Sequence, residues 1–207
     1  MLSMIADGFV AGLLLAVFGY AIGSLSSAVI VCRMFGLPDP RESGSQNAGA
    51  TNVLRLGGKK PAALTLVGDM LKGLVATLVA QTAGVSLFWV AVVGLTAVLG
   101  HMYPVFFGFR GGKGVATGLG AILGTHWVTG LLAICFWLAT CLVSRISSLS
   151  ALVTFAAIPA LLLLAGLAPV ALAFLIISAL IFWRHRENIA RLLKGSEPRV
   201  GEKKTGT

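Results

Sequence analysis

Residues 8–33 read GFVAGLLLAVFGYAIGSLSSAVIVCR, an uncharged run that ends only at Arg33. A helix needs about 20 mostly apolar residues to cross a bilayer, so this run can span by itself. No Lys or Arg precedes Arg33, and the run is longer than the apolar stretch of a cleaved leader. It is therefore expected to stay in place as a transmembrane helix. The same ruler, moved outward, finds further candidates at 61–82, 87–107, 114–126, 128–144, 148–166 and 168–183. The segment 114–126 is short and glycine-rich. It is expected to be a partial or irregular span, which is tolerated where backbone lines a protein-enclosed cavity.

Composition agrees. The chain is 57% hydrophobic and 11% charged, against about 25% charged for ordinary globular domains. A soluble protein of 207 residues has too little interior to hide that much apolar surface.

The net charge of +9 is placed in a way that sets topology. Arg33, Arg41, Arg55, Lys59 and Lys60 fall in the first connection, Arg110 and Lys113 in the third, Arg145 in the fifth, and the remaining loop charges after residue 183. The alternate connections near 83–86, 126–127 and 166–168 carry no Lys or Arg, and only Lys72 lies inside a span. This one-sidedness fits the positive-inside rule. It points to anionic lipid headgroups rather than nucleic acid as the partner of the basic residues.

The expected fold is an all-α integral membrane protein with seven transmembrane helices. The N-terminus would be periplasmic, the C-terminus cytoplasmic and the setting a bacterial inner membrane. Residues 1–192 would form the membrane domain and 193–207 a basic tail, its last ten residues without order. Cys32, Cys135 and Cys141 have no metal-ligand spacing and are expected to be buried free thiols.

Three polar stretches could carry chemistry, all on the face that topology makes cytoplasmic. In the first, Gly44-Ser45-Gln46-Asn47-Ala48-Gly49-Ala50-Thr51-Asn52-Val53-Leu54-Arg55, small residues let backbone N–H groups approach an anion. Ser45, Asn47, Thr51 and Asn52 add neutral donors, and Arg55 adds a fork matched to phosphate oxygens. As a bare pattern the stretch also fits a turn-rich loop with Asn and Gly in left-handed positions.

The second stretch is Gly108-Phe109-Arg110-Gly111-Gly112-Lys113-Gly114. Glycines and a lysine at a helix start make an anion site from backbone donors, helix dipole and ammonium. A nucleotide-binding P-loop would need Gly at 107 and Ser or Thr at 114, where the chain has Phe107 and Gly114. The bland alternative is a basic loop at a helix break. The third stretch, Arg184-His185-Arg186-Glu187-Asn188, puts His185 and Asn188 on one helix face. Glu187 is expected to pair with a neighbouring Arg. A basic end to a last membrane helix is common without function.

Weaker features remain. Asp69 and Lys72 stand three apart inside a span and are expected to neutralise each other; intramembrane ions suit a functional role as well as a structural pair facing the bundle. Ser147, Ser148 and Ser150 either cap their helix or face the site. His101 and His126 are single, which suits core or interfacial roles.

Several chemistries are excluded. There is no G-x-S-x-G elbow and no His, Cys and carboxylate cluster of metal-ligand spacing. No His is followed five residues later by Asp, since positions 106, 131 and 190 are Phe, Leu and Ala. The His-x4-Asp pattern of acyl-CoA-dependent glycerolipid acyltransferases is thus missing, as is the Asp-rich pattern of CDP-alcohol phosphotransferases.

GSLSSAVIVCR, GSQNAGATNVLR, DMLKG, GHMYPVFFGFRGGKGVAT and RHRENI, in that order between residues 23 and 192, resemble the motifs of bacterial acyl-phosphate:glycerol-3-phosphate acyltransferases. The resemblance implies a seven-helix membrane enzyme that moves a fatty acyl group from acyl phosphate to the 1-hydroxyl of glycerol-3-phosphate. Lysophosphatidic acid and phosphate would be the products, at the first step of phospholipid synthesis.

Carried over by motif, Arg55, Lys113 and His185, with Ser150, would hold the phosphate of glycerol-3-phosphate. Ser45 and Asn47, with Gly44, Gly49, Thr51 and Asn52, would hold the acyl-phosphate head. Gly111 and Gly112 would add backbone donors. Asn188 would orient the reacting groups and Glu187 would be structural. Ser24 and Arg33 fit a structural role as well as a direct one. No cofactor or metal is implied, and the functional unit would be a monomer.

The chemistry is consistent with these residue types. An acyl phosphate is already activated, so the protein has to place a hydroxyl and offset charge on two phosphates. With no protein base evident, the substrate's own phosphate would take the hydroxyl proton. Two other classes compete. A transporter or flippase would explain helices and glycines, but its site belongs near the midplane, often between repeated halves, and no repeat is visible. A lipid-binding scaffold would not call for His and Asn among phosphate ligands.

Overall fold

The computed structural model describes residues 2–201, with side chains from residue 8 onward. It is all-helical among those residues. In chain order the helices are α1 (Leu2–Gly23), α2 (Ser27–Met34), α3 (Ala50–Gly57), α4 (Lys59–Thr82) and α5 (Leu87–Met102). They continue as α6 (Val115–Thr125), α7 (Trp127–Ser144), α8 (Ser147–Leu164), α9 (Ala168–Arg184) and α10 (Arg186–Leu193).

Each of the seven apolar segments forms helix, but not to equal length. Gly8–Met34, Lys59–Thr82, Leu87–Phe107, Trp127–Ser144 and Ser147–Leu164 are long and apolar enough to cross a membrane. The pair α9 and α10, bent by 62°, brings the total to six. The seventh segment is α6, whose 11 residues reach only about 16 Å at 1.5 Å per residue. That is about half a bilayer core.

The first span is broken. Ser24 Oγ donates back to Tyr20 O at 2.8 Å, and the backbone unwinds between Gly23 and Ser27. Serine hydroxyls compete with helical backbone bonding in this way. A carbonyl freed inside a membrane needs a partner. Here Leu25 O receives Lys72 Nζ at 2.9 Å.

Lys72 also pairs with Asp69 at 3.0 Å, as the spacing predicts, and His101 Nδ1 joins Asp69 at 3.5 Å. His101 therefore belongs to a buried network linking α4, α5 and the break between α1 and α2. His126, by contrast, caps α7, its Nδ1 accepting from Thr129 N at 3.4 Å.

Small residues set the closest crossings, as in membrane bundles generally. A Cβ on Gly120 of α6 would sit inside contact distance of Met70 O on α4, and one on Gly73 of α4 would strike Thr117 O of α6. Between α5, α6, α8 and α9 lies the main core, with Met102, Ile122, Phe155, Ile158, Phe174 and Ile177 fully buried. The outside carries exposed apolar side chains such as Leu14, Val17, Leu142, Val143 and Leu164, the lipid-facing surface. Cys32 is buried, but Cys135 is exposed and Cys141 half-exposed, contrary to the expectation of three buried thiols. Helix α7 buries only Thr129, Gly130 and Ala133, which leaves Cys135 uncovered, while Cys141 lines an apolar cavity.

The polar connections gather at one end. Arg41 Nη1 reaches Phe107 O at 2.9 Å, and Arg110 Nη2 reaches Arg41 O at 3.0 Å. Val200 N donates to Arg145 O at 2.7 Å. That last bond corrects the tail. Residues 198–201 were expected to lack order, yet they fold back along the start of α8, because a buried acid just before them, Glu197, finds partners there. The rest of the tail, 202–207, lies outside the described residues.

Candidate active site

Helices α5 and α6 fall short of α4, and the 103–114 connection fills the space they leave. Gly111 and Gly112 are buried in it. The turn is held on one side by its own helix, since Gly112 N donates to His101 O at 3.1 Å. On the other side Arg184 Nη2 donates to Gly111 O and Gly112 O, both at 3.1 Å. Glycine is required at 112. A Cβ there would strike His101 Nε2 and lie 2.6 Å from Ala48 O, so this turn and the first polar stretch are in direct contact.

Lys113 follows, at the entry to α6. Its ammonium donates to Asn188 Oδ1 on α10. Burial pulls its pKa down to about 8, helped by Arg191 and Arg184, while Glu197 and Glu187 oppose the shift. His185 sits at the bend between α9 and α10 and is 4% exposed. Its Nδ1–H donates to Ile181 O at 2.8 Å. The backbone thus fixes the tautomer and leaves Nε2 for a ligand. Burial and then Lys113 lower the His185 pKa to about 4. The imidazole is therefore neutral at neutral pH until an anion arrives.

The residue the sequence reading missed is Glu197. Its carboxylate accepts from Ser148 Oγ at 2.7 Å, from Asn188 Nδ2, and from Arg191 Nε at 2.7 Å. Its pKa is lowered; burial is the largest influence and works the other way, but the hydrogen bonds from Asn188, Ser148 and Arg191 outweigh it. Asn188 is thereby held between the Glu197 carboxylate and the Lys113 ammonium. The ion pair in this segment is Arg191–Glu197 at 2.7 Å, whereas Glu187, expected to form it, is exposed. The available signal was an acid, in KGSEPR, within a basic tail.

The first stretch folds around Asn52. Its Nδ2 donates to Pro40 O at 2.9 Å and Ser43 O at 3.0 Å, and its Oδ1 accepts from Ser45 N at 2.9 Å. That amide organises the loop and is fully used in it. Gly44 takes a left-handed φ of 66°, and Gln46, rather than Asn47, takes one of 54°. Asn47 is half-buried, with Gly49 N donating to its carbonyl at 2.9 Å, and Gly49 precedes α3.

Thr51 Oγ1 meets Ser147 Oγ at 3.2 Å, which docks α3 on α8. Ser45 and Arg55 present exposed side chains that bond nothing among the described residues. Ser150 is fully buried and donates to Ile146 O at 2.9 Å on its own helix, so Ser148 is the serine of that turn at the site. Ser24 ties the α1 break to the third connection, accepting from Val105 N at 3.4 Å. Arg33 is exposed.

Beside these groups opens an apolar cavity of about 190 Å³, lined by Thr51, Leu54, Ala63, Leu66, Trp137 and Val200 among others. A buried cationic turn next to an apolar groove at one end of a helical bundle defines an integral membrane protein built to hold an anion beside a lipid chain.

The family profile described as "Glycerol-3-phosphate acyltransferase" matches residues 13–195. The chain belongs to that glycerol-3-phosphate acyltransferase family. It is 55% identical over 185 residues to the glycerol-3-phosphate acyltransferase of Thioalkalivibrio sulfidiphilus (strain HL-EbGR7), covering 89% of this chain and 91% of that one. It is 53% identical over 192 residues to that of Methylococcus capsulatus (strain ATCC 33009 / NCIMB 11132 / Bath), covering 92% and 97%. Among solved structures it is similar to PlsY (YgiH), an integral membrane glycerol 3-phosphate acyltransferase, in its glycerol 3-phosphate form. There the TM-score is 0.87 at 42% identity, over 92% of this chain and 96% of that one. The lysophosphatidic acid form of PlsY gives 0.84 at 40% identity, over 91% and 94%.

Proposed function

We propose that this protein acylates the 1-hydroxyl of glycerol-3-phosphate, with acyl phosphate as donor, releasing lysophosphatidic acid and inorganic phosphate. The observation that carries the reading is the joint placement of Lys113, His185 and Asn188 around a buried glycine turn, next to the apolar groove. Lys113 offers its charge, and the turn offers the N–H groups of Gly111 and Lys113 to a phosphate, the Gly112 N–H expected among these donors being taken by His101 O. Arg55, free on α3, closes over the bound anion from the solvent side, with Ser45, Asn47 and Thr51 toward the donor's head. The acyl chain lies in the groove beside Leu54 and Trp137.

A phosphate dianion next to His185 raises the imidazole pKa and turns Nε2 into a donor. The substrate's own phosphate takes the hydroxyl proton as the carbonyl is attacked. The acyl–phosphate bond breaks and phosphate leaves as the ester forms. The cations spread the charge that builds on both phosphates. The bundle sits in a bacterial inner membrane with seven passes, the N-terminus periplasmic and the site cytoplasmic, and it works as a monomer. The intramembrane charges Asp69, Lys72 and His101 answer one another, and having the phosphate-handling groups at one end separates the protein from a carrier, whose site belongs near the midplane.

The test is phosphate release by purified protein in detergent. Release from acyl phosphate should require glycerol-3-phosphate, and acyl-CoA should not replace the donor. Arg55→Ala and Lys113→Ala should each lower kcat/KM by about a hundredfold or more, the scale of losing one charge-stabilising donor. Turnover with acyl-CoA, or phosphate release indifferent to glycerol-3-phosphate, would overturn the donor assignment.

A further inference from the structure

We infer that Arg184 is a positioning residue of this site: its guanidinium sets the Gly111–Gly112 turn and through it the place of Lys113. The inference deepens the proposed reaction and rests on it. Arg184 ends α9, one residue before His185, so α9 delivers both side chains to the same end. One nitrogen, Nη2, bonds the carbonyls of Gly111 and Gly112 at 3.1 Å each. The guanidinium lies over the Tyr103 ring at 5.6 Å, a cation–π arrangement. Tyr103 is itself fixed, its carbonyl accepting from Tyr20 OH at 2.7 Å. Arg184 is thus clamped between a ring on the far side of the connection and the two carbonyls it orients.

The turn needs this clamp. Two successive glycines leave the backbone loose. On its inner side Gly112 has one bond, to His101 O. With the Gly111 carbonyl drawn to Arg184, the N–H of the same peptide points the other way, onto His101 O, and with the Gly112 carbonyl drawn there too the Lys113 N–H is turned away from Arg184. Lysine could not replace the clamp, because a compact ammonium lacks the planar guanidinium that lies over the Tyr103 ring while one edge nitrogen meets both carbonyls.

Arg184 also acts on Lys113 through its field. The charged groups facing Lys113 are Glu197 and Arg191 from the tail and α10, Glu187, Arg184 and His185. Of these, Arg184 and Arg191 disfavour the protonated ammonium. Clamp and field can be separated by substitution. Arg184→Gln removes both, and Arg184→Lys keeps the charge but not the clamp.

The experiment measures steady-state phosphate release against glycerol-3-phosphate concentration, between pH 6 and 10, for wild type, Arg184→Gln and Arg184→Lys. Turnover should fall about a hundredfold in both variants, the scale of a small misplacement of reacting groups. The KM for glycerol-3-phosphate should change less than the turnover. The alkaline midpoint should move up in Arg184→Gln and stay at the wild-type value in Arg184→Lys. Full turnover in Arg184→Lys would overturn the inference, since charge alone would then suffice. So would failure of both variants to fold, which would make Arg184 a support of the bundle.

If wild type itself releases no phosphate, the proposed reaction fails. Titration of inorganic phosphate against pH on the same proteins then still reads the turn. Weaker binding in both variants would uphold the clamp, and unchanged binding would sink it.

Discussion

At the scale of single residues, the site is a matter of which charges are buried and what answers them. Lys113 loses hydration at a glycine turn, and its pKa falls to about 8, so it carries its charge at neutral pH but by a small margin. If the protonated ammonium holds substrate, activity is lost as pH rises through about 8. His185, with its pKa pulled down to about 4, behaves in the opposite sense. Its neutral form is the folded-state form, so the stability it contributes is present above the unfolded histidine value and is lost as pH falls toward 4. A pH–rate profile should show an alkaline limb near 8 that disappears in Lys113→Met, whose residual activity is flat there. A thermal-unfolding series in detergent should show His185→Gln less sensitive to acid than wild type.

These assignments were only half legible in the sequence. Lys113, His185 and Asn188 stood in glycine-rich or basic patterns with a direct chemical reading. Glu197 did not, because an acid in a basic tail looks like a solvated residue until folding supplies Ser148, Asn188 and Arg191 around it. Asn52 was misleading in the opposite way. A polar side chain in a polar loop suggests a ligand contact, and only the folded loop reveals that its amide is consumed locally.

At the scale of elements, the shortness of α5 and α6 matters more than any motif. Their lost turns make room for the glycine connection to enter the bundle. Length was readable from the apolar run of 114–126, which was too short and too rich in glycine for a full span. What the run could not say was that its glycines serve α4. Gly120 faces Met70 O so closely that no side chain fits. Gly120→Val should push the two helices apart and lower the thermal midpoint by several degrees or abolish the fold, since overpacking alone costs about 1–3 kcal/mol. A Val at exposed Gly84, which has open space around its Cα, should do less, paying only for its left-handed φ of 73°. Unfolding followed by tryptophan fluorescence in detergent would compare the two.

At the scale of the whole molecule, the charge pattern alone divided the connections into two sets, and the fold brings the basic set together at one end. The lengths of the apolar runs located all seven helical segments but not the break at Ser24–Ser26 or the bend at His185, because uncharged serines and a lone histidine leave hydropathy almost unchanged. The orientation of the bundle is open to direct test. Single cysteines placed at Ser86 and at Arg110, in a background with Cys32, Cys135 and Cys141 replaced, should label oppositely with a membrane-impermeant maleimide on intact cells. Ser86 should react from outside and Arg110 only after lysis. The reverse labelling would invert the topology and put the site on the periplasmic face.

The network of Lys72, Asp69 and His101 also bears on how the chain is made. As α4 leaves the ribosome and enters the translocon, it brings two charges into lipid, each costing about 2.5–3.5 kcal/mol at a helix centre. One answer to them, the Leu25 carbonyl, has already been inserted, while His101 has not yet left the ribosome. The order of birth therefore favours an early hairpin of α4 against the broken first span, with α5 arriving to complete it. A nascent chain stalled once α4 has cleared the ribosome, but before α5 has followed it, would already contain that hairpin, and the unwound serines of the first span would be its docking point.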